Sequence, residues 1–80
     1  MAVDIETTLD ARGLACPLPL LRAKQALNRL APGQVLEVLA TDAGSFRDFP
    51  LFARQGKHEL LLAEERDGIF RYQIRKHVSA

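Results

Sequence analysis

Eighty residues with 11 Lys plus Arg against 10 Asp plus Glu carry a formal charge of +1, too nearly balanced to argue for a surface that coats DNA or RNA. The hydrophobic fraction of 48% and charged fraction of 26% belong to a globular chain, and the length fits one small domain, residues 1–80. One cysteine excludes an intrachain disulfide framework and a multi-cysteine metal site, so a single thiol is the first chemical question. The apolar patches Leu18 to Leu21 and Leu60 to Ala63 fall far short of the ~20 residues of a membrane span. The opening carries Asp4 and Glu6 and lacks the basic start and apolar middle of a secretory signal, so a cytoplasmic location and no membrane partner are expected.

Val3, Ile5, Thr7 and Leu9 recur every second residue, which predicts a first strand. Asp10 to Gly13 reads as a turn. Cys16-Pro17-Leu18-Pro19 then opens a helix, because proline is tolerated in a first turn whose amides lack helical acceptors. Leu20, Ala23, Leu27 and Leu30 give that helix an apolar side, and Ala31-Pro32-Gly33 ends it. Gln34 to Thr41 predicts a central strand, with Leu36, Val38 and Ala40 on one face. Ser45 opens a second helix with Phe46, Phe49 and Ala53 on one side; Pro50 argues for a short or distorted one, ending at Gln55-Gly56. Glu59 to Glu64 and Ile69 to Lys76 predict two strands joined at Asp67-Gly68, a hairpin signal. Phe70, Tyr72 and Ile74 alternate there with Arg71, Gln73 and Arg75. The order β-α-β-α-β-β predicts an α+β fold: a two-layer α/β sandwich, with a four-stranded mixed sheet and two helices on one face.

Cys16 lies at the entrance of the first predicted helix. Free amide donors and the helix field there favour a thiolate, the species that attacks a sulfane sulfur or a disulfide. Gly13 permits a tight turn just before it, and Pro17 and Pro19 restrict the approach. The opposing reading is a small packed hydrophobe among Leu14, Ala15, Leu18 and Leu20. A self-contained dithiol cycle needs a resolving thiol, which this chain lacks. A reversible persulfide on one cysteine needs only a donor and an acceptor supplied by other proteins.

Leu9-Asp10-Ala11-Arg12-Gly13-Leu14-Ala15-Cys16-Pro17-Leu18-Pro19 resembles the N-terminal signature of the TusA, or SirA-like, family of sulfur carriers. The similarity continues through Pro32-Gly33, Val35 to Asp42, Arg47-Asp48-Phe49-Pro50, His58-Glu59-Leu60 and Tyr72 to Arg75, roughly residues 7 to 76. The resemblance implies a fold like the C-terminal domain of translation initiation factor three. It also implies a persulfide-carrying Cys16 supported by Gly13, Pro17 and Pro19. Implied partners are a cysteine desulfurase or rhodanese-like sulfurtransferase as donor, and a downstream acceptor protein. The implied routes are tRNA thiolation, molybdenum-cofactor biosynthesis and dissimilatory sulfur metabolism, and the carrier itself would show little stand-alone turnover. One departure is Ala53, which stands where the tRNA-thiolation subgroup has a further cysteine.

Arg12, Arg22 and Lys24 are candidate docking residues for an acidic partner near Cys16, and a nearby cation would favour its thiolate. Asp48 is a candidate for the same surface, or for capping the second helix. His58 reads as a packing or hydrogen-bonding residue. His58 and His77 make no recognisable metal pattern with Cys16, there is no glycine-rich nucleotide loop, and no cofactor is expected. The rival function is a nucleic-acid-binding adaptor or regulatory protein, in which Arg71 and Arg75 on one strand face contact phosphate.

Overall fold

The computed structural model describes residues 4–78. In chain order it contains β1 (Ile5–Ala11), α1 (Leu18–Asn28), β2 (Val35–Ala40), α2 (Ser45–Gln55), β3 (Glu59–Arg66) and β4 (Ile69–Arg75). The sheet order is β1-β2-β4-β3. β1 pairs parallel to β2, while β4 runs antiparallel to both β2 and β3. The sheet is therefore mixed, and both helices cover its one apolar face, as the sequence predicts.

Alternation decides which side is covered. Leu36, Val38 and Ala40 of β2 lie beside Ile74, Tyr72 and Phe70 of β4; all but the half-buried Phe70 are fully buried. Against them α1 lays Ala23 and Leu27, and α2 lays Phe49 and Ala53. Phe49 and Tyr72 stack nearly parallel, with ring centroids 4.4 Å apart and an interplanar angle of 7°. That stack fixes α2 over the centre of β4.

Several predicted boundaries change. Val3 lies outside the described residues, and β1 runs to Ala11 rather than stopping at Leu9. α1 begins at Leu18, so Pro17 is its cap and Pro19 lies in its first turn. α2 is a full 11-residue helix despite Pro50. The missing amide leaves one carbonyl without its helical donor, but burial of Phe49 and Ala53 holds the segment helical on both sides of it. Phe46 is a further correction: it is 47% exposed rather than packed beneath α2, and its ring meets Phe70 at 5.7 Å. The β3–β4 hairpin turns at Asp67 and Gly68, with φ of 53° and 81°, the paired left-handed conformations that an Asp-Gly turn supplies.

Candidate functional site

Cys16 is exposed in the connection from β1 to α1. Gly13 makes the turn possible with φ of +84°, and its amide donates to Thr41 Oγ1 at 2.9 Å, tying the connection to the end of β2. Pro19 is buried and Pro17 exposed, so one proline anchors the helix entrance while the other flanks the thiol. The sulfur also lies at the start of the second helix: a β-carbon on Gly44, the residue before α2, would come within 3.9 Å of Cys16 Sγ and 3.0 Å of Asp42 Oδ2. A side chain at 44 would crowd the Asp42 carboxylate and sit in ordinary contact with the thiol.

Cys16, Pro17, Pro19, Leu20, Asp42, Ser45, Asp48 and Phe49 line a shallow surface depression with no room for a water-sized guest. Cys16 Sγ donates to Asp48 Oδ2 at 3.3 Å. Behind this pair, Ser45 Oγ donates to the Asp42 carbonyl at 2.7 Å and lies 2.6 Å from the Tyr72 hydroxyl. A serine has one hydroxyl proton, so with that proton on Asp42 the Tyr72 hydroxyl is the donor to Ser45. Asp42 Oδ2 is buried and accepts no hydrogen bond among the described residues.

The electrostatics run against the expected thiolate. The hydrogen bond to Asp48 stabilises the protonated sulfur, and partial desolvation with the negative charges of Asp48 and Asp42 adds to it; Arg47 opposes them. The sum pushes the Cys16 thiol above its ordinary value. Few helix amides are free to compensate: Pro17 and Pro19 have no N–H, and the Leu18 and Leu21 amides donate to the Ala15 and Pro17 carbonyls. At α2 the amides of Ser45, Phe46, Arg47 and Asp48 are likewise taken by backbone carbonyls.

Gly13, Pro17, Pro19 and Cys16 lie together at the entrance of α1, and Asp48 of α2 faces the thiol. Arg12, Arg22 and Lys24 do not supply its cation. Arg12 is paired with Asp10 at 2.8 Å, which holds that carboxyl down to about 2. Lys24 sits over the Phe52 ring, and Arg22 is simply exposed. Sequence reasoning missed Asp42 and Arg47 as charges at the sulfur. Acidic residues around a helix start are the ordinary complement of its free amides, and that role concealed their second neighbour.

The adaptor reading loses its phosphate contacts. Arg71 is matched to Glu64 at 3.3 Å and Glu37 at 3.9 Å, and Arg75 to Glu59 at 3.0 Å. These pairs form a self-neutralised row on the open sheet face. His58 is structural, as expected: its Nδ1 accepts from the His77 amide at 2.9 Å, and its ring tilts against Phe52.

A small mixed sheet under two helices, presenting one exposed thiol where the helix entrances meet, has the layout of a single-thiol carrier rather than a dithiol reductase. Residues 7–76 match the family model described as Sulfurtransferase TusA. A sulfur carrier protein TusA from Allochromatium vinosum is 52% identical over 73 residues, covering 91% of this chain and 96% of the relative. A putative sulfur carrier protein of Neisseria meningitidis serogroup A is 59% identical over 63 residues, covering 79% and 85%. The crystal structure of a SirA-like protein from Desulfitobacterium hafniense superposes with a TM-score of 0.79 at 31% identity, over 90% of this chain and 99% of that one. The chain belongs to the TusA family of sulfur carriers.

Proposed function

We propose that this protein carries sulfur as a persulfide on Cys16. A donor, a cysteine desulfurase or a rhodanese-like sulfurtransferase, presents a sulfane sulfur. The Cys16 sulfur attacks it, the donor's S–S bond breaks, and the donor thiolate leaves as Cys16–S–SH forms. A downstream acceptor nucleophile then attacks the terminal sulfur and the Cys16 thiolate departs. The sulfane sulfur keeps its oxidation level throughout, so no external oxidant or reductant is needed. The observation that carries this reading is the exposure of the chain's one thiol at the junction of both helix entrances. Gly13, Pro17 and Pro19 shape that junction. The exposed Leu18, Leu21, Arg22 and Lys24 on α1 form the adjoining surface on which donor and acceptor dock in turn.

The test is incubation with an active cysteine desulfurase, cysteine and the desulfurase's own pyridoxal phosphate, followed by intact mass measurement. One added sulfur atom, absent from Cys16→Ser, is the expected outcome. A desulfurase that loads another acceptor but never this chain, or an adduct that survives in Cys16→Ser, overturns the reading.

A further inference from the structure

A nucleophile is ordinarily placed where its anion is favoured, yet the groups around Cys16 do the reverse. Its Sγ–H donates to Asp48 Oδ2 at 3.3 Å, and Asp42 lines the same depression with a buried oxygen that accepts no hydrogen bond among the described residues. Among the described residues the cation acting on the sulfur is Arg47, whose side chain is 87% exposed and lies 3.7 Å from the other oxygen of Asp48. Asp48 itself is three-quarters covered, so its carboxylate is held in place beside the exposed thiol. α1 brings no charged group against the sulfur, and its first turn carries no acidic residue.

We propose that Asp48 keeps Cys16 latent: by accepting the Sγ–H hydrogen bond, with Asp42 beside it, the carboxylate withholds the thiolate from the free carrier. This deepens the sulfur-carrier reading and rests on it for its biological sense. The same charges act in both directions of transfer. Before loading, a sulfur held as thiol is slow to attack adventitious electrophiles. After loading, loss of the terminal sulfur to a stray thiol R–SH requires Cys16 to leave as a thiolate beside two carboxylates. In that step R–S⁻ attacks the terminal sulfur, the Cys16 S–S bond breaks, R–S–SH forms, and the departing Cys16 sulfur takes a proton from water. A poor leaving group slows it. The latch opens when a docked partner supplies a competing donor, a cationic or amide group, to Asp48. A lone thiol with no resolving partner gains selectivity by reacting only within such a complex.

Alkylation of the full chain by iodoacetamide, a neutral reagent, measures the thiolate directly across pH. Asp48→Asn keeps the shape and removes the charge; at pH 7.0 it is expected to alkylate about threefold faster than wild type, the gain in thiolate outweighing its lower nucleophilicity. Arg47→Ala, at an exposed position that folding does not need, is expected to slow alkylation by about a factor of two, the scale of a solvent-screened charge. Persulfide-loaded Asp48→Asn should also lose its added sulfur to 2-mercaptoethanol faster than loaded wild type, read by intact mass. An Asp48→Asn profile that superposes on wild type or moves to higher pH overturns the latch, and so does faster alkylation of Arg47→Ala. These readouts need no donor enzyme for the alkylation arm. A shifted profile in a chain that never accepts sulfur therefore defeats the carrier reading and leaves the latch standing.

Discussion

At Tyr72 and Ser45 two hydroxyls share one buried chain of donation, from Tyr72 to Ser45 and from Ser45 to the Asp42 carbonyl. Tyr72 is fully buried and Ser45 nearly so; the Tyr72 hydroxyl depends on Ser45 for its hydrogen bond, whereas Ser45 also has the Asp42 carbonyl. Tyr72→Phe removes a donor and leaves Ser45 its carbonyl acceptor, at a cost of about 1 kcal/mol. Ser45→Ala strands the Tyr72 hydroxyl inside the core and also frees the Asp42 loop, so about 1–3 kcal/mol is expected. Urea denaturation of the two variants checks the order; a Tyr72→Phe loss exceeding that of Ser45→Ala contradicts the donor assignment. The network also has a functional side, because it anchors the loop that carries Asp42 beside the thiol.

At the scale of elements, α2 is held against its own sequence. Pro50 sits inside it, removing one helical hydrogen bond and crowding the preceding turn, in a class of position that costs roughly 3 kcal/mol relative to alanine in an isolated helix. The stack of Phe49 on Tyr72 and the burial of Ala53 compensate through tertiary packing. Pro50→Ala restores the amide to a helix already formed; it also loosens the unfolded chain, which offsets part of the gain. A rise in stability of about 1 kcal/mol is expected from chemical denaturation. An unchanged or lower midpoint would show that Pro50 packs better than the alanine helix that replaces it.

Across the whole molecule, the end of β4 is fastened back onto the far end of α2. His58 Nδ1 accepts the His77 amide, which requires that nitrogen to be unprotonated. Partial burial, with Coulombic repulsion among His58, His77 and Lys76 adding to it, pushes the His58 pKa below 6.5. A group whose folded pKa is depressed takes up protons more readily when unfolded, so its stabilisation is present above pH 6.5 and is lost as pH falls toward the folded value. Wild type is therefore expected to lose stability between pH 7.5 and 5.5. His58→Gln, which keeps an acceptor without titrating, should lose less over the same range. Equal slopes in urea titrations at the two pH values would remove His58 from the account. The open sheet face works at this scale too: its arginines neutralise its own glutamates, leaving no unmatched Arg71 or Arg75 to support the adaptor reading.

Element order and sheet face were legible in the chain because they follow local periodicity. Alternation in β2 and β4, helical spacing at Ala23 and Leu27, and the Asp67-Gly68 turn each reflect how a short segment buries one side. The Cys16-Pro17-Leu18-Pro19 motif likewise marked the thiol before any geometry was known. Three-dimensional packing alone decided the rest. Phe46 has the right spacing for burial, but its position at the edge of α2 leaves it half in solvent. Asp48 lies 32 residues from Cys16, and no local pattern announces that the two helix entrances converge. The sequence alone singled out the thiol; only the tertiary structure placed Asp48 and Asp42 beside it, because charge acts through distance in space and not along the chain.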